Sequence, residues 1–77
     1  MADCLMPLAM ASSGEVVKIA DLRGGRGLTR KLADMGLVPG TRVRIINSCG
    51  PGPVVLEVRG TRLALGHGMS YKIMVTR

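Results

Sequence analysis

Residues 32–40, "LADMGLVPG", decide how this chain folds, because a helix-like run ends there on a glycine. Gly36 stands where a helix ends with a left-handed residue, a conformation that glycine adopts without the steric penalty of a Cβ atom. Leu37 is then expected to fold back onto Leu32, the apolar contact that accompanies this type of helix end. The stretch therefore predicts the stop of a helix.

The next residues predict a tight turn. In "VPGT", residues 38–41, Pro39 presets φ at the second position and Gly40 accepts a positive φ at the third, as a type II turn requires. Helix stop and turn together swing the chain into a strand. We therefore interpret this stretch as a hinge of the fold rather than as a loop that holds a ligand.

A short amphipathic helix is predicted upstream of the hinge, over residues 28–35. Three apolar residues recur there at helical spacing and form one stripe: Leu28, Leu32 and Met35. Charged residues lie nearly opposite and are expected to face water or a partner: Arg26, Arg30 and Asp34. About two turns of helix are not stable alone, so the apolar stripe must pack on a sheet.

Short strands are predicted on both sides of the helix. Residues 15–21 alternate in polarity, as do residues 41–48, in which Arg42 and Arg44 alternate with apolar residues. Residues 54–65 predict a hairpin with Gly60 at its turn, and residues 73–76 a last strand. The fold class is mainly β: a small SH3-like β-barrel of about five short strands, with one short α-helix after the first strand.

Length and composition indicate one small globular domain. The chain has 77 residues, of which 47% are hydrophobic but only one, Tyr71, is aromatic. We assign residues 1–13 to an N-terminal leader and residues 14–77 to the barrel domain. The sequence shows neither a secretory signal nor an apolar run of the roughly 20 residues that a membrane span needs, and we expect a cytoplasmic protein.

Side chains that carry chemistry are few. The chain has one histidine, no serine in a nucleophile elbow and no close pair of carboxylates, so no catalytic residue and no cofactor is predicted. The glycines of residues 23–27, "RGGRG", match neither a P-loop nor a dinucleotide-binding loop. Cys4, Cys49 and His67 are of metal-ligating type but lack ligand spacing, and no metal site is assigned.

Two long stretches closely resemble the FeoA family, small cytosolic proteins of the ferrous iron uptake system. They are "LTRKLADMGLVPGTRVRII", residues 28–46, and "GPVVLEVRGTRLALGHGMSYKIMV", residues 52–75. The similarity extends from about Ser13 to Val75. It implies an SH3-like barrel without a catalytic site, which acts as an accessory or regulator on FeoB, the membrane ferrous iron transporter whose cytosolic part binds GTP.

The expected function is therefore that of a binding module, with charged residues as candidate partner contacts: Arg26, Arg30, Asp34, Arg42 and Arg44. Two alternatives stay open. The net charge of +6 would suit a barrel that binds nucleic acid, although one aromatic residue offers little for stacking on bases. Cys4, Cys49 and His67 would suit a metal sensor or carrier. Exposed strand edges would allow weak self-association.

Overall fold

The computed structural model describes residues 5–48 and 52–77, and within them the protein is mainly β. The strands are β1 (Met6–Pro7), β2 (Val16–Leu22), β3 (Arg42–Asn47), β4 (Val54–Val58), β5 (Thr61–Leu65) and β6 (Ile73–Thr76). Helix α1 (Gly25–Asp34) lies between β2 and β3, and the single-turn helix α2 (His67–Ser70) precedes β6. A 3₁₀ turn, Leu8–Met10, follows β1.

All six strands form one antiparallel sheet in the order β1-β6-β2-β3-β4-β5. The predicted fold class is confirmed, with one strand more than expected because Met6 and Pro7 pair with Val75 and Met74. The sheet does not close into a complete barrel among the described strands, since β1 and β5 remain its edges. At the β1 edge, Pro7 has no N–H to donate to a further strand.

The hinge has the geometry of a Schellman motif. The Leu37 N–H donates to the Leu32 carbonyl (N···O 2.8 Å), and the Gly36 N–H donates to the Ala33 carbonyl (2.9 Å). Gly36 has φ +86°, and the side chains of Leu32 and Leu37 are both fully buried. Two of the helix's unpaired carbonyls are thereby satisfied, and α1 ends where its sequence leads us to expect.

The turn after the hinge also joins β3 to β2. The Thr41 N–H donates to the Val38 carbonyl (3.1 Å) across the turn, where Gly40 has φ +95°. The Gly40 N–H donates to the Ile19 carbonyl (2.7 Å), and the Ile19 N–H donates to the Thr41 carbonyl (2.9 Å). The register of β3 against β2 is therefore set at the turn itself.

The core is aliphatic and lies on one face of the sheet under α1. Its members alternate along the strands with exposed polar residues, as in Val17 and Ile19 on β2 and Val43 and Ile45 on β3. Leu32 is the fully buried residue of α1; Leu28 and Met35, the other members of its apolar stripe, are partly buried against the same core. The helix therefore gains its stability from this packing, not from its own length.

The N-terminal segment adds to the core as well. Within the predicted leader, residues 1–13, the described part begins at Leu5, and Leu8 and Ala11 are buried in the same cluster. The Ser48 hydroxyl donates to the Ala11 carbonyl (2.6 Å), and the Gly14 N–H donates to the Ile45 carbonyl (2.6 Å). This segment is thus tied to β3 as well as to β6.

The β4–β5 hairpin turns on two residues, of which one is strained. Val58 pairs with Thr61, and both turn residues have positive φ, +52° at Arg59 and +79° at Gly60, as a type I′ turn requires. A left-handed conformation costs an ordinary L-residue about 1–2 kcal/mol, whereas asparagine tolerates it and Asn-Gly is a preferred pair in this turn.

Replacing Arg59 by asparagine is therefore expected to raise the free energy of unfolding by about 1 kcal/mol, measured by urea or thermal unfolding. A gain of this size raises the melting temperature by about 4–8 °C in a domain this small. Arg59→Ala is the control, because it removes the same charge without favouring the left-handed conformation. An equal gain in both variants would contradict the conformational explanation and point to relief of charge repulsion.

Candidate partner-binding surface

The outward face of α1 presents two arginines one helical turn apart. Arg26 and Arg30, separated by four residues, are both exposed and lie on the same side of the helix. With the end of β2 they line a groove of about 510 Å³. Its lining residues combine apolar surface with two guanidinium groups: Leu22, Gly25, Arg26, Thr29, Arg30 and Ala33. Such a groove suits a partner segment that is apolar in part and acidic in part.

The position of α1 beside this groove is fixed at its N-terminal end. The Arg23 N–H donates to the Lys72 carbonyl (2.7 Å), which ties the segment just before α1 to the segment between α2 and β6. Gly24 has φ +122°, a backbone conformation that residues with a Cβ atom rarely adopt, so a larger residue would be strained there. The groove is therefore bounded by a helix that is held in place before any partner arrives.

The charge of the groove is uncompensated within the described part of the chain. Neither Arg26 nor Arg30 forms an ion pair with a described residue. Near the start of α1, Arg23 forms an ion pair with Asp21, 3.8 Å apart and largely exposed. Exposed pairs of this kind contribute little to stability, so the charges here are available for recognition at little cost to the fold.

Asp34, the third predicted contact on α1, lies on a different groove. That groove, about 470 Å³, runs between the end of α1 and the β4–β5 hairpin, where Arg59 also lines it. Ala33 borders both grooves. Arg26 and Arg30 thus line one groove together, and Asp34 lines the neighbouring groove.

Arg42 and Arg44 project from the outer face of the sheet, because they alternate with buried residues along β3. Arg42 is paired in register with Lys18 of β2, and Arg44 with Val16. A third groove of about 330 Å³ is lined by Val16, Val17, Lys18, Arg42, Thr76 and Arg77. Lys18 was not among the predicted contacts, although the alternation of residues 15–21 already placed it on the outer side of its strand.

The candidate metal ligands are only partly described. Cys4 and Cys49 lie outside the described residues. His67, at the start of α2, meets Tyr71 edge to face, with ring centroids 5.0 Å apart. Among residues 5–48 and 52–77, no three His, Cys, Asp or Glu side chains lie close enough together to hold a metal ion. Nor does any helix within these ranges have the length and apolar character to cross a membrane.

Comparison with protein families and curated proteins gives a consistent result. The family model described as FeoA domain matches residues 6–77. A protein of Methanocaldococcus jannaschii named "Putative Fe(2+) transport protein A" is 35% identical over 71 residues, which cover 92% of this chain and 85% of the relative. The matched region therefore includes β1 and the N-terminal 3₁₀ turn as well as the helix and the longer strands.

Solved structures are similar to this chain in fold as well as in sequence. The crystal structure of an iron uptake regulatory protein, FeoA, superposes with a TM-score of 0.84 at 32% identity and covers 94% of this chain and 95% of that one. A manganese-dependent transcriptional repressor reaches a TM-score of 0.85 at 17% identity, with 99% of this chain and 43% of the repressor covered. At that identity the repressor shows a shared fold and nothing further.

Proposed function

The chain belongs to the FeoA family, and on that premise we propose that it is a non-catalytic accessory protein of ferrous iron uptake. In this proposal it acts in the cytoplasm and docks on the GTP-binding part of a FeoB-like membrane transporter. Family membership supports the link to ferrous iron transport. The observation that carries docking is the groove beside α1, where two arginines without an ion-pair partner among the described residues flank apolar surface from Leu22 and Ala33.

The chemistry of this groove favours recognition over catalysis. Aromatic and arginine anchors in an apolar setting carry much of the energy of protein interfaces. Arg26 and Arg30 supply two such anchors from a helix that is already formed, so little backbone entropy is lost there when a partner binds. The chain's one histidine, His67, is exposed and lies on α2, where its ring meets that of Tyr71 edge to face.

Reversing the two charges tests the proposal. The double variant Arg26→Glu/Arg30→Glu is expected to weaken binding to the transporter's soluble GTP-binding domain by about tenfold or more, because charge reversal at an interface costs several kcal/mol. Titration calorimetry, with and without guanine nucleotide, measures the change. Both substitutions are at exposed positions, so the variant should keep the native amide spectrum.

A control variant, Lys31→Glu/Arg59→Glu, makes the same change in net charge at two other exposed positions. It is expected to keep the native affinity within about twofold, the result for contacts outside the interface. Equal losses of affinity in both variants would mean that net charge alone causes the effect. The α1 groove would then no longer be the proposed docking site. If the native chain fails to bind the soluble domain at high concentration, docking on that part of the transporter is wrong.

A further inference from the structure

The outer face of β2 and β3 carries an arrangement that works against folding. Lys18 and Arg42 stand directly opposite each other on adjacent antiparallel strands, where Cβ atoms are about 5 Å apart. Both side chains are exposed, and neither forms an ion pair with a described residue. Like charges in directly opposed positions destabilise a sheet. A neutral pair at these two positions would therefore give a more stable sheet.

The neighbouring cation on β3, Arg44, has an acidic residue opposite it in register, which sets Lys18 and Arg42 apart. Arg44 is paired across β4 with Glu57, and Glu57 in turn with Arg62 on β5. Lys18 has Thr76 as its partner on the other side, a residue without charge. The positive charge that is left without an acidic neighbour is thus concentrated at Lys18 and Arg42.

The third groove of the molecule lies at this pair. It has a volume of about 330 Å³ and is bordered by β6 through Thr76 and Arg77. The hydrogen bond from the Ser12 N–H, and next the ion pair with Arg77, hold the pKa of Glu15 below its usual value. Glu15 is therefore ionised at neutral pH and engaged with Arg77, which leaves Lys18 and Arg42 as the charges offered by the groove.

We propose that this groove, defined by Val16, Lys18, Arg42 and Thr76, binds an acidic peptide segment. The two cations attract adjacent carboxylates, the Thr76 hydroxyl supplies a hydrogen-bonding group, and Val16, which is 50% exposed, gives apolar contact beside them. The binding of an acidic segment also removes the repulsion between Lys18 and Arg42, so binding is coupled to relief of an unfavourable interaction in the free protein.

A peptide fits this groove better than a nucleic acid does. Bases bind to proteins largely by stacking on aromatic side chains, and the chain's one aromatic residue, Tyr71, is not among the residues that line the groove. Strong binding to a phosphate backbone needs a longer row of cations than the two available here. This site is also separate from the α1 groove, so each can be tested without the other.

Hexaglutamate, titrated into the full-length chain at low salt, is the probe. Amide-resolved NMR is expected to show saturable shifts centred on residues 16–18, 42–44 and 76–77, whereas hexaglutamine should cause none. The variant Lys18→Gln/Arg42→Gln should lose about tenfold or more in affinity, because both charged contacts are removed. It should also be at least as stable as the native chain in urea, since a like-charge pair is gone.

A matched variant, Lys31→Gln/Arg59→Gln, loses two positive charges at exposed positions that line neither this groove nor the α1 groove, and is expected to bind hexaglutamate with native affinity. Shifts centred on α1, or equal losses of affinity in the two variants, would overturn the proposal, the first in favour of binding at the α1 groove and the second in favour of attraction by net charge alone. Tighter binding of a short oligothymidylate than of hexaglutamate to the same residues would overturn the peptide assignment and favour nucleic acid. None of these outcomes would decide whether the chain docks on the transporter, which is measured with a different partner and different variants.

Discussion

Replacing Leu37 by alanine is expected to lower the free energy of unfolding by about 2–5 kcal/mol, the range for a fully buried leucine that leaves a cavity. Leu37 has no exposed surface, and its N–H closes the end of α1 on the Leu32 carbonyl. Small domains have about 5–15 kcal/mol of stability in total, so this one substitution removes a large share of it. Urea unfolding followed by circular dichroism measures the loss.

Replacing Leu37 is expected to cost this much because the residue both ends helix α1 at the hinge and packs in the core. Leu37→Met, which conserves volume, should cost less than about 1.5 kcal/mol, and Leu5→Ala, at a half-exposed position, should change stability by less than about 0.5 kcal/mol. In a double-mutant cycle, Leu32→Ala and Leu37→Ala are expected to be coupled by about 0.5–3 kcal/mol. Additive losses would mean that the two side chains contribute to the core separately, not as the contact that ends the helix.

The hinge and the longer strands could be predicted because they depend on local rules. A glycine with positive φ at Gly36, and a Pro-Gly pair in the next turn, follow from steric limits on single residues. The strands follow from alternation over five to seven residues, as along β2, where Val17 and Ile19 are buried and Lys18 is exposed. Such signals are complete within a short window of sequence.

The N-terminal strand left no such signal. Two residues are too few to show alternation, and the partner of Met6 is Val75, at the other end of the chain. The burial of Leu8 likewise depends on packing against distant residues of the core cluster. Local propensity therefore favoured a leader here, whereas in the structure non-local pairing decides which residues are covered.

The candidate surfaces could likewise be predicted only where local patterns decide them. Helical spacing is enough to place Arg26 and Arg30 on one exposed face, but their groove also needs Leu22, which β2 supplies. For Arg42, alternation predicts exposure but not its partner. That Lys18 stands opposite is a consequence of register, which the hydrogen bonds between Ile19 and the turn at Gly40 determine. Exposure can be predicted from sequence, whereas neighbours across a sheet need the fold.

A chain shortened to residues 14–77, the predicted barrel domain, is expected to lose most of its stability. The truncation removes β1 from the edge of β6 and takes Leu8 and Ala11 out of the core. Leu8→Ala alone should cost about 2–5 kcal/mol, because Leu8 is almost fully buried. Thermal unfolding of the truncated chain, of Leu8→Ala and of the native protein measures these losses side by side.

Met10 supplies the control for this prediction, since it lies in the same 3₁₀ turn as Leu8 but is 62% exposed. Met10→Ala should change the free energy of unfolding by less than about 0.5 kcal/mol, as is usual for surface substitutions. If the turn covers the core, Leu8→Ala and the truncation should both lower the free energy of unfolding strongly, whereas Met10→Ala should leave it unchanged. Native stability in the truncated chain would instead support the predicted domain boundary between residues 13 and 14. The N-terminal segment would then cover a core that is already complete without it.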